Sequence, residues 1–264
     1  MKRLFKLSLV LLSICVLMIG YVYAISTDPT GPQSITRNQD ERFDPDNWPS
    51  WNIQAEAGNV TELTITSKSQ TQTWQGYYGN ISGTITLDDA SNWTMYDWAL
   101  SEPQGEIYAS NGSSVTWSYI RCVNYSNNGT IQYAENITRI ESWLGLAADD
   151  VDGIDETFNE TGNLDGATAH PTVYVGTYTI SSGTCPAADT YQNDTTAGIQ
   201  FAEILLTDNV SIIFTTIIEN DDVGVDTEVQ GFDNQTHDFQ MLVGDDGHDG
   251  DTAITNYYFF VELE

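Results

Sequence analysis

The chain has 264 residues and a formal net charge of −30 at pH 7, because it contains 38 acidic but only eight basic residues. This charge excludes nucleic acids and anionic membrane surfaces as partners, since both would repel the protein. Self-repulsion also destabilises a compact fold unless it is screened. The composition therefore indicates a high-salt habitat, bound divalent cations or an acidic coat that keeps neighbouring molecules apart, and it does not choose among them.

Residues 1–24 are predicted to form a signal peptide. Three basic residues precede a 17-residue apolar run from Leu7 to Tyr23, and Val22 and Ala24 give the small-x-small pattern of a cleavage site. The alternative is an uncleaved membrane anchor, for which the apolar run is at the short limit. Cleavage is favoured, and it leaves five basic residues in the mature chain.

Residues 25–50 are interrupted by prolines and show no apolar periodicity, which indicates a linker or an extended arm. The short run Ser34–Thr36 could add as a strand to an exposed sheet edge of a neighbouring molecule. The alternative is a disordered leader. The folded domain is expected to cover residues 51–264.

From about residue 52 onwards, short runs rich in β-branched and aromatic residues alternate with turn signals such as Gly79-Asn80 and Asp208-Asn209. No alternation of strands with long helices is present, so the pattern predicts an all-β fold, an antiparallel β-sandwich of about ten strands. The strands are expected at Val60–Thr66, Thr71–Tyr78, Ile81–Leu87, Ile107–Ala109, Val115–Cys122, Val173–Ile180, Phe201–Leu206, Ser211–Glu219, Phe239–Val243 and Thr255–Leu263.

One segment departs from the β pattern. Between Glu135 and Leu146 the apolar residues Ile137, Ile140 and Leu144 recur at helical spacing, which predicts one short helix.

Two cysteines remain after signal cleavage, Cys122 and Cys185. An even number of cysteines in a secreted chain predicts a disulfide bond. For a loop of this length the chain-entropy model gives a stabilisation of about 4 kcal/mol. The alternative is a pair of buried free thiols.

Asparagine is used in an unusual way. Eleven of the 18 asparagines open an Asn-x-Ser/Thr sequon, whereas 50 serines and threonines in 264 residues would give about three or four by chance. Turn preferences of asparagine raise the chance figure but do not account for eleven. The density predicts a heavily N-glycosylated extracellular protein. The sequon residues are Asn59, Asn80, Asn92, Asn111, Asn124, Asn128, Asn136, Asn159, Asn193, Asn209 and Asn234.

The stretch Thr71–Asn80, which contains the run TWQGYYGN, is the most distinctive of six segments that are spread over nearly the whole mature chain. The others are Ala57–Leu63, Gly83–Ala90, Tyr96–Trp98, Gly105–Ser110 and Phe232–Phe239. Together they resemble a family of uncharacterised secreted archaeal surface proteins. The resemblance implies archaeal origin, a cell-surface location and asparagine glycosylation, and it supplies no catalytic residues.

Two acidic loops, and a further cluster of Asp221, Asp222, Asp226 and Glu228, are candidates for calcium binding, because carboxylates at alternate positions around a glycine can present several hard oxygens to one Ca²⁺ ion. Neither loop matches an EF-hand, since a loop starting at Asp150 would need glycine where Asp155 stands. Solvated acidic turns are the alternative. The candidate ligands are Asp150, Asp152 and Asp155 in the first loop and Asp245, Asp249 and Asp251 in the second.

Aromatic residues offer a second candidate site. Trp74, Tyr77 and Tyr78 precede a Gly-Asn turn and could contact a glycan, since sugar C–H groups pack on aromatic rings; Trp93, Tyr96 and Trp98 form a similar group. The alternative is the ordinary aromatic content of a sandwich core and its edges.

Motifs for catalysis are absent from the sequence. It contains no Gly-x-Ser-x-Gly, no His-Glu-x-x-His and no phosphate-binding loop. The three histidines, His170, His237 and His248, are expected at surface turns rather than at a transition-metal site, because a strand separates the last two. A pair of glycosidase carboxylates stays open, since its spacing exists only in the fold.

These patterns predict a non-catalytic, secreted cell-surface glycoprotein, a structural component of an envelope layer or a surface filament. Dense glycans would obstruct a substrate cleft but protect an exposed structural protein. A carbohydrate-binding or adhesive module is the alternative, and an extracellular glycoside hydrolase is a more distant one. The expected partners are copies of the chain itself or glycans, with the membrane as a partner only if residues 1–24 are not removed.

Overall fold

The computed structural model describes residues 28–38, 50, 52–100, 103–124, 136–147, 150–164, 166, 168–194, 197–219, 229–247, 250 and 252–263. Within these residues the chain forms twelve β-strands and two short helices, so the predicted all-β class is confirmed. No helix in this part of the chain is both long and apolar enough to span a bilayer. The predicted signal peptide lies outside the described residues.

All pairings between the named strands are antiparallel. The strands are β1 (Trp74–Gly79), β2 (Gly83–Asp88), β3 (Thr94–Leu100), β4 (Gly105–Ser110), β5 (Arg121–Cys122), β6 (Val173–Val175), β7 (Tyr178–Ile180), β8 (Ala187–Tyr191), β9 (Ala197–Thr207), β10 (Ile212–Ile217), β11 (Phe239–Gly244) and β12 (Tyr258–Leu263). The helices are α1 (Ile137–Leu144) and α2 (Ile154–Thr157), and a 3-10 turn covers Trp117–Tyr119.

A six-stranded sheet forms the centre of the domain, in the order β12-β4-β10-β9, with β5 and β8 both paired to the remaining edge of β9. Side chains alternate between the two faces of a strand. In β4, Ile107 and Ala109 belong to one buried cluster, whereas Tyr108 belongs to the other. Both faces of this sheet are therefore buried, which explains why Phe201–Leu206 in β9 is apolar at every position except Glu203.

One face of the central sheet is covered by the two-stranded β1–β11 sheet and by α1 and α2. The Thr216 hydroxyl donates to the Gln240 carbonyl at 2.7 Å, and the Leu242 N–H donates to Glu203 Oε2 at 2.8 Å. These bonds place β11 directly over β9 and β10. The two antiparallel layers form a small open sandwich.

The opposite face is covered by the β6–β7 hairpin and the 3-10 turn. The Trp117 ring lies between Tyr108 and Phe260, with ring centroids 5.1 and 5.3 Å away. Cys122 and Cys185 form the predicted disulfide bond, with their Cα atoms 4.8 Å apart. It joins β5 to the segment that leads into β8, so it closes this side of the sandwich covalently.

Helix α1 confirms the helix predicted between Glu135 and Leu146. The Asn136 side chain accepts a hydrogen bond from the Arg139 N–H at 2.9 Å and so caps the first turn. Gly145 adopts a left-handed conformation, φ 77°, that ends the helix. The helix buries the face that carries Ile137, Ile140 and Leu144, together with Glu141.

Three of the predicted strands differ from the structure. Val60–Thr66 forms no strand and is exposed, because no other described segment pairs with it. Val115–Cys122 contains the 3-10 turn and only the short β5. Val173–Ile180 is divided into β6 and β7 at Gly176, whose φ of 56° favours glycine.

The arm also differs from expectation. Thr30 forms an antiparallel bridge with Val261 of β12 through two backbone hydrogen bonds of 3.1 and 2.8 Å. A Cβ atom at Gly176 would lie 2.9 Å from Asp28 Oδ1, so the arm also contacts the β6–β7 turn. The arm therefore contacts an edge of its own sheet, and Ser34–Thr36 belongs to no strand within the chain.

Candidate functional site

The outer edge of β12 is the most accessible part of the central sheet. β12 pairs with β4 on one side, whereas on its other side Thr30 makes the only bridge among the described residues. Backbone groups alternate between the two sides of a strand, so those of Phe259 point outward like those of Val261. Pro32, two residues after Thr30, has no N–H to donate. Among the described residues, Thr30 thus engages only the backbone groups of Val261 on this side of β12.

A large open cleft runs beside this edge. Its volume is about 2630 Å³, and it lies between the arm, β1, the β6–β7 hairpin and β12. Tyr77 and Phe259 form part of its lining and pack edge to face, with centroids 5.4 Å apart. The cleft is long and open rather than a closed pocket for a small molecule, so its shape suits an extended chain.

The β2–β3 hairpin has an apolar face that contacts no other named element extensively. Its register places Ile85 opposite Trp98 and Leu87 opposite Tyr96, so these four side chains share one face. All four are about half exposed, and the Tyr96 and Trp98 rings lie 4.8 Å apart. This aromatic pair was among the aromatic groups singled out in the sequence.

Residues 52–70 form a second unpartnered feature. They contain no strand or helix, and every one of them is exposed. Leu63 is 54% and Ile65 83% exposed, although their alternation with threonine and other polar residues is typical of a strand. A sequence that favours β structure is thus presented to solvent without a strand partner in the described part of the chain.

The sequon asparagines are accessible wherever the structure describes them. Six are exposed and four are partly exposed, so none of these ten is buried, and Asn128 lies outside the described residues. The exposed residues are Asn59, Asn80, Asn92, Asn159, Asn193 and Asn234, and the partly exposed ones are Asn111, Asn124, Asn136 and Asn209. This placement is what glycan attachment at Nδ2 requires.

Turn chemistry explains part of the sequon pattern. Asn92, Asn193, Asn209 and Asn234 have positive φ values between 54° and 80°, a conformation that asparagine tolerates better than most residues. The backbone thus favours asparagine at these four turns, and strand propensity favours the threonine at Thr94, where β3 begins. The positions satisfy both turn geometry and the sequon.

The first acidic loop is folded differently from the expected calcium loop. The Asp150 carboxylate accepts the Ala147 N–H at 2.7 Å, and the Asp152 carboxylate accepts the Thr71 hydroxyl. Asp155 instead lies beside two acidic residues that the loop pattern does not include, described below.

In the second loop, Asp245 Oδ1 accepts the Thr255 N–H at 3.3 Å and its own N–H bonds the Thr73 carbonyl at 2.6 Å. Asp249 and Asp251 lie outside the described residues.

The three rings proposed to contact a glycan do not form one surface. Trp74 packs against Phe158 in the core, with centroids 6.0 Å apart, and its Nε1 donates to the Asp152 carbonyl at 2.8 Å. Tyr77 is partly buried against the same cluster. Tyr78 is exposed and lies 4.9 Å from the Phe232 ring. Among the aromatic candidates, the Tyr96–Trp98 pair is the more accessible platform.

His170 is buried, so the prediction of a surface turn is wrong for this residue. Its Nε2 accepts the N–H groups of Thr184 and Cys185 at 3.0 and 3.1 Å, and its Nδ1 donates to the Pro171 carbonyl at 2.7 Å. This pattern requires the neutral imidazole, and burial lowers the His170 pKa. His237 lies at a turn and bonds Asp233, whereas His248 lies outside the described residues.

A pair of carboxylates occurs on β4 and β12, where Glu106 and Glu262 are directly opposite each other. The Tyr108 hydroxyl lies 3.5 Å from Glu106 and 3.4 Å from Glu262, and the Gly176 N–H donates to Glu262 at 2.8 Å. Burial, followed by the two nearby carboxylates, raises the pKa of Tyr108. The tyrosine hydroxyl occupies the space between the carboxylates where a glycosidase would place its substrate oxygen.

No protein-family model matches the chain, and no curated protein or solved structure is significantly similar to it.

Proposed function

We propose that this protein is a secreted, N-glycosylated and non-catalytic structural component of the cell surface that assembles with copies of itself by β-strand addition. The observation that carries the proposal is the concentration of exposed, β-forming apolar residues between residues 53 and 98. They include Ile53, Val60, Leu63, Ile65, Ile85, Leu87, Trp93, Met95, Tyr96 and Trp98. Exposed apolar surface of this extent is typical of an interaction surface.

The two halves of the proposed contact are both present in one chain. Residues 60–66 provide an exposed segment with a strand-forming sequence as the donor, and the edge of β12 with the adjacent cleft provides an acceptor. A donor and an acceptor at different places on the surface form a head-to-tail contact, which builds a ring or a filament rather than a two-fold dimer. A second copy of the chain is therefore the partner that supplies both surfaces.

The assembly can be tested with a variant that changes only the donor segment. Leu63 and Ile65 are exposed in the single chain, so the double substitution L63D/I65D should leave the melting temperature unchanged while it removes the assembly. Val210 is also exposed but lies at the β9–β10 turn, so V210D is the control for an added charge. Electron microscopy and light scattering of the glycosylated mature protein measure the assembly.

The expected result is large assemblies for the wild type and V210D and monomers for L63D/I65D. Assembly should also increase with salt, because net like charge opposes association until it is screened. Wild-type protein that stays monomeric at high concentration and high salt would contradict the proposal. Assembly of L63D/I65D at the wild-type level would exclude residues 60–66 as the donor strand.

The Tyr96–Trp98 pair favours one alternative, a carbohydrate-binding module. Its rings are adjacent and about half exposed, with an interplanar angle of 58°, so either ring can offer its accessible face to the C–H groups of a sugar. Glycan-array binding by the monomeric protein, lost on Trp98→Ala with the fold intact, would support this alternative.

A further inference from the structure

Helices α1 and α2 bring three carboxylates together. Glu141 lies in the second half of α1, whereas Asp155 and Glu156 occupy the first turn of α2. Each contributes one carboxylate oxygen to a group in which all three atoms lie within 4.8 Å of one another. Oxygens bound to one Ca²⁺ ion at 2.3–2.6 Å lie at most about 5 Å apart, so this spacing fits a common cation.

Glu141 gives an independent reason to expect a ligand. Its side chain is only 4% exposed, and Oε1 has no hydrogen-bond partner among the described residues. A buried carboxylate oxygen without a partner is costly and requires an explanation. Burial, followed by a hydrogen bond that Glu141 shares with the Asp155 carboxylate, raises the Glu141 pKa to about 7. A bound cation would supply the missing partner and reduce the repulsion within the group.

The loop between the helices is held in place around this group. The Asp150 carboxylate bonds the Ala147 N–H, and the Trp74 indole bonds the Asp152 carbonyl. Gly153 has little space, because a Cβ atom there would lie 2.8 Å from Glu156 Oε2 and 3.3 Å from the Asp150 carbonyl oxygen. Glu141 is thus positioned by a packed helix, and Asp155 and Glu156 follow a segment, residues 150–153, whose backbone and side chains make these contacts.

We propose that Glu141, Asp155 and Glu156 bind one Ca²⁺ ion. All the side-chain ligands are carboxylates, which excludes the nitrogen- and sulfur-rich sets preferred by zinc and copper. Three carboxylates can give up to about six oxygens in the irregular geometry that Ca²⁺ accepts, whereas Mg²⁺ requires a near-octahedral set. Asp155 and Glu156 are exposed, so water can reach the remaining coordination positions. The ion would join α1 to α2 beside the β1–β11 layer.

The test is calcium titration of the glycosylated mature protein by calorimetry at high sodium chloride. High salt is essential because so acidic a chain attracts cations everywhere. One saturable site is expected, with a dissociation constant of about 10⁻⁴–10⁻³ M, typical of extracellular sites. Glu141→Gln should weaken binding at least about tenfold, since it removes a charged ligand. Glu160→Gln is the matched control, because Glu160 is exposed in the same segment but lies outside the group.

A second variant, D155N/E156Q, protects the test against misfolding of the buried substitution. Both residues are exposed and the amides remove repulsion within the group, so the calcium-free variant should melt at or above the wild-type temperature, while the calcium-induced rise in melting temperature should disappear. Equal calcium affinity in the wild type, E141Q and D155N/E156Q would overturn the proposal. So would the absence of any saturable site in the wild type, or an equal loss of affinity in E160Q.

Discussion

Glu203 is the most informative position for testing how the sandwich tolerates its own charge. It is fully buried in β9 beneath β11, where Oε2 accepts the Leu242 N–H at 2.8 Å and Oε1 has no hydrogen-bond partner among the described residues. Burial raises the Glu203 pKa well above its ordinary value, and the Leu242 bond opposes this only in part. The folded protein therefore holds a proton on Glu203 over a pH range in which the unfolded chain has released it.

This difference makes Glu203 destabilising as the pH rises. Because the pKa of Glu203 is higher in the folded state, its contribution to the free energy of unfolding is most favourable below the unfolded pKa of about 4.3. This contribution falls as the pH rises towards the folded pKa, by about 1.4 kcal/mol for each pH unit between the two pKa values. Glu203→Gln keeps an oxygen for the Leu242 N–H and removes the charge. We expect it to raise the free energy of unfolding at pH 7 by about 1–3 kcal/mol and the melting temperature by about 2–10 °C.

The measurement is urea unfolding and calorimetry of both proteins from pH 4 to 8. The increase in the free energy of unfolding caused by Glu203→Gln should vanish near pH 4, where both side chains are neutral in the folded protein, and should grow towards pH 8. Glu203→Met is the control, because it removes the charge but leaves the Leu242 N–H unpaired, so it should be less stable than the glutamine variant. Parallel pH profiles for the wild type and Glu203→Gln would refute the reasoning.

Three further outcomes are expected. Cys122→Ser and Cys185→Ser should lower the melting temperature equally and the double variant by no more, whereas additive losses in calorimetry would contradict a shared bond. Because burial lowers the His170 pKa, its contribution to the free energy of unfolding is complete above about pH 6.5 and is lost as the pH falls below that value. His170→Gln should therefore reduce the fall in melting temperature at acidic pH, and an unchanged dependence of melting temperature on pH would exclude this role. Peptide mass spectrometry of native protein should find glycans on Asn59 and Asn209, and unmodified peptides at both would count against glycosylation.

Sequence periodicity predicts the central strands well because their residues are buried on both faces. The run in β10 is apolar and β-branched and that in β9 is largely apolar, and the turn between them is marked by Asp208-Asn209. The sequence does not predict β3 and β8, since TMYDWAL and AADTY contain few β-branched residues. Conversely, Val60–Thr66 has a strand pattern but no partner, because β propensity describes the fit to a neighbouring strand rather than an intrinsic preference.

The candidate calcium site shows a different limit of sequence reasoning. Alternating carboxylates in the loop at Asp150–Asp155 indicate the right region, but hydrogen bonds to Ala147 and Thr71 engage two of the three expected ligands. The group includes Glu141, which is distant in sequence and lies on the buried face of a helix. Its presence on that apolar face, between Ile140 and Leu144, is the only signal in the sequence, and it becomes meaningful once the packing of the two helices is known.

The high negative charge of this chain opposes the aggregation that its exposed, strand-forming segments would promote. Unpaired apolar strands promote indiscriminate aggregation, and a high net charge of one sign opposes it. The Debye length, over which charge repulsion decays, is about 8 Å at physiological salt and about 3 Å at 1 M. Strand addition instead depends on direct backbone contact. Screening or cation binding would therefore allow the proposed contact between molecules to form without removing the protection that charge gives at low salt. Glycans at exposed sequon positions such as Asn80 and Asn92, which flank β1 and β3, would restrict the directions from which a partner can approach.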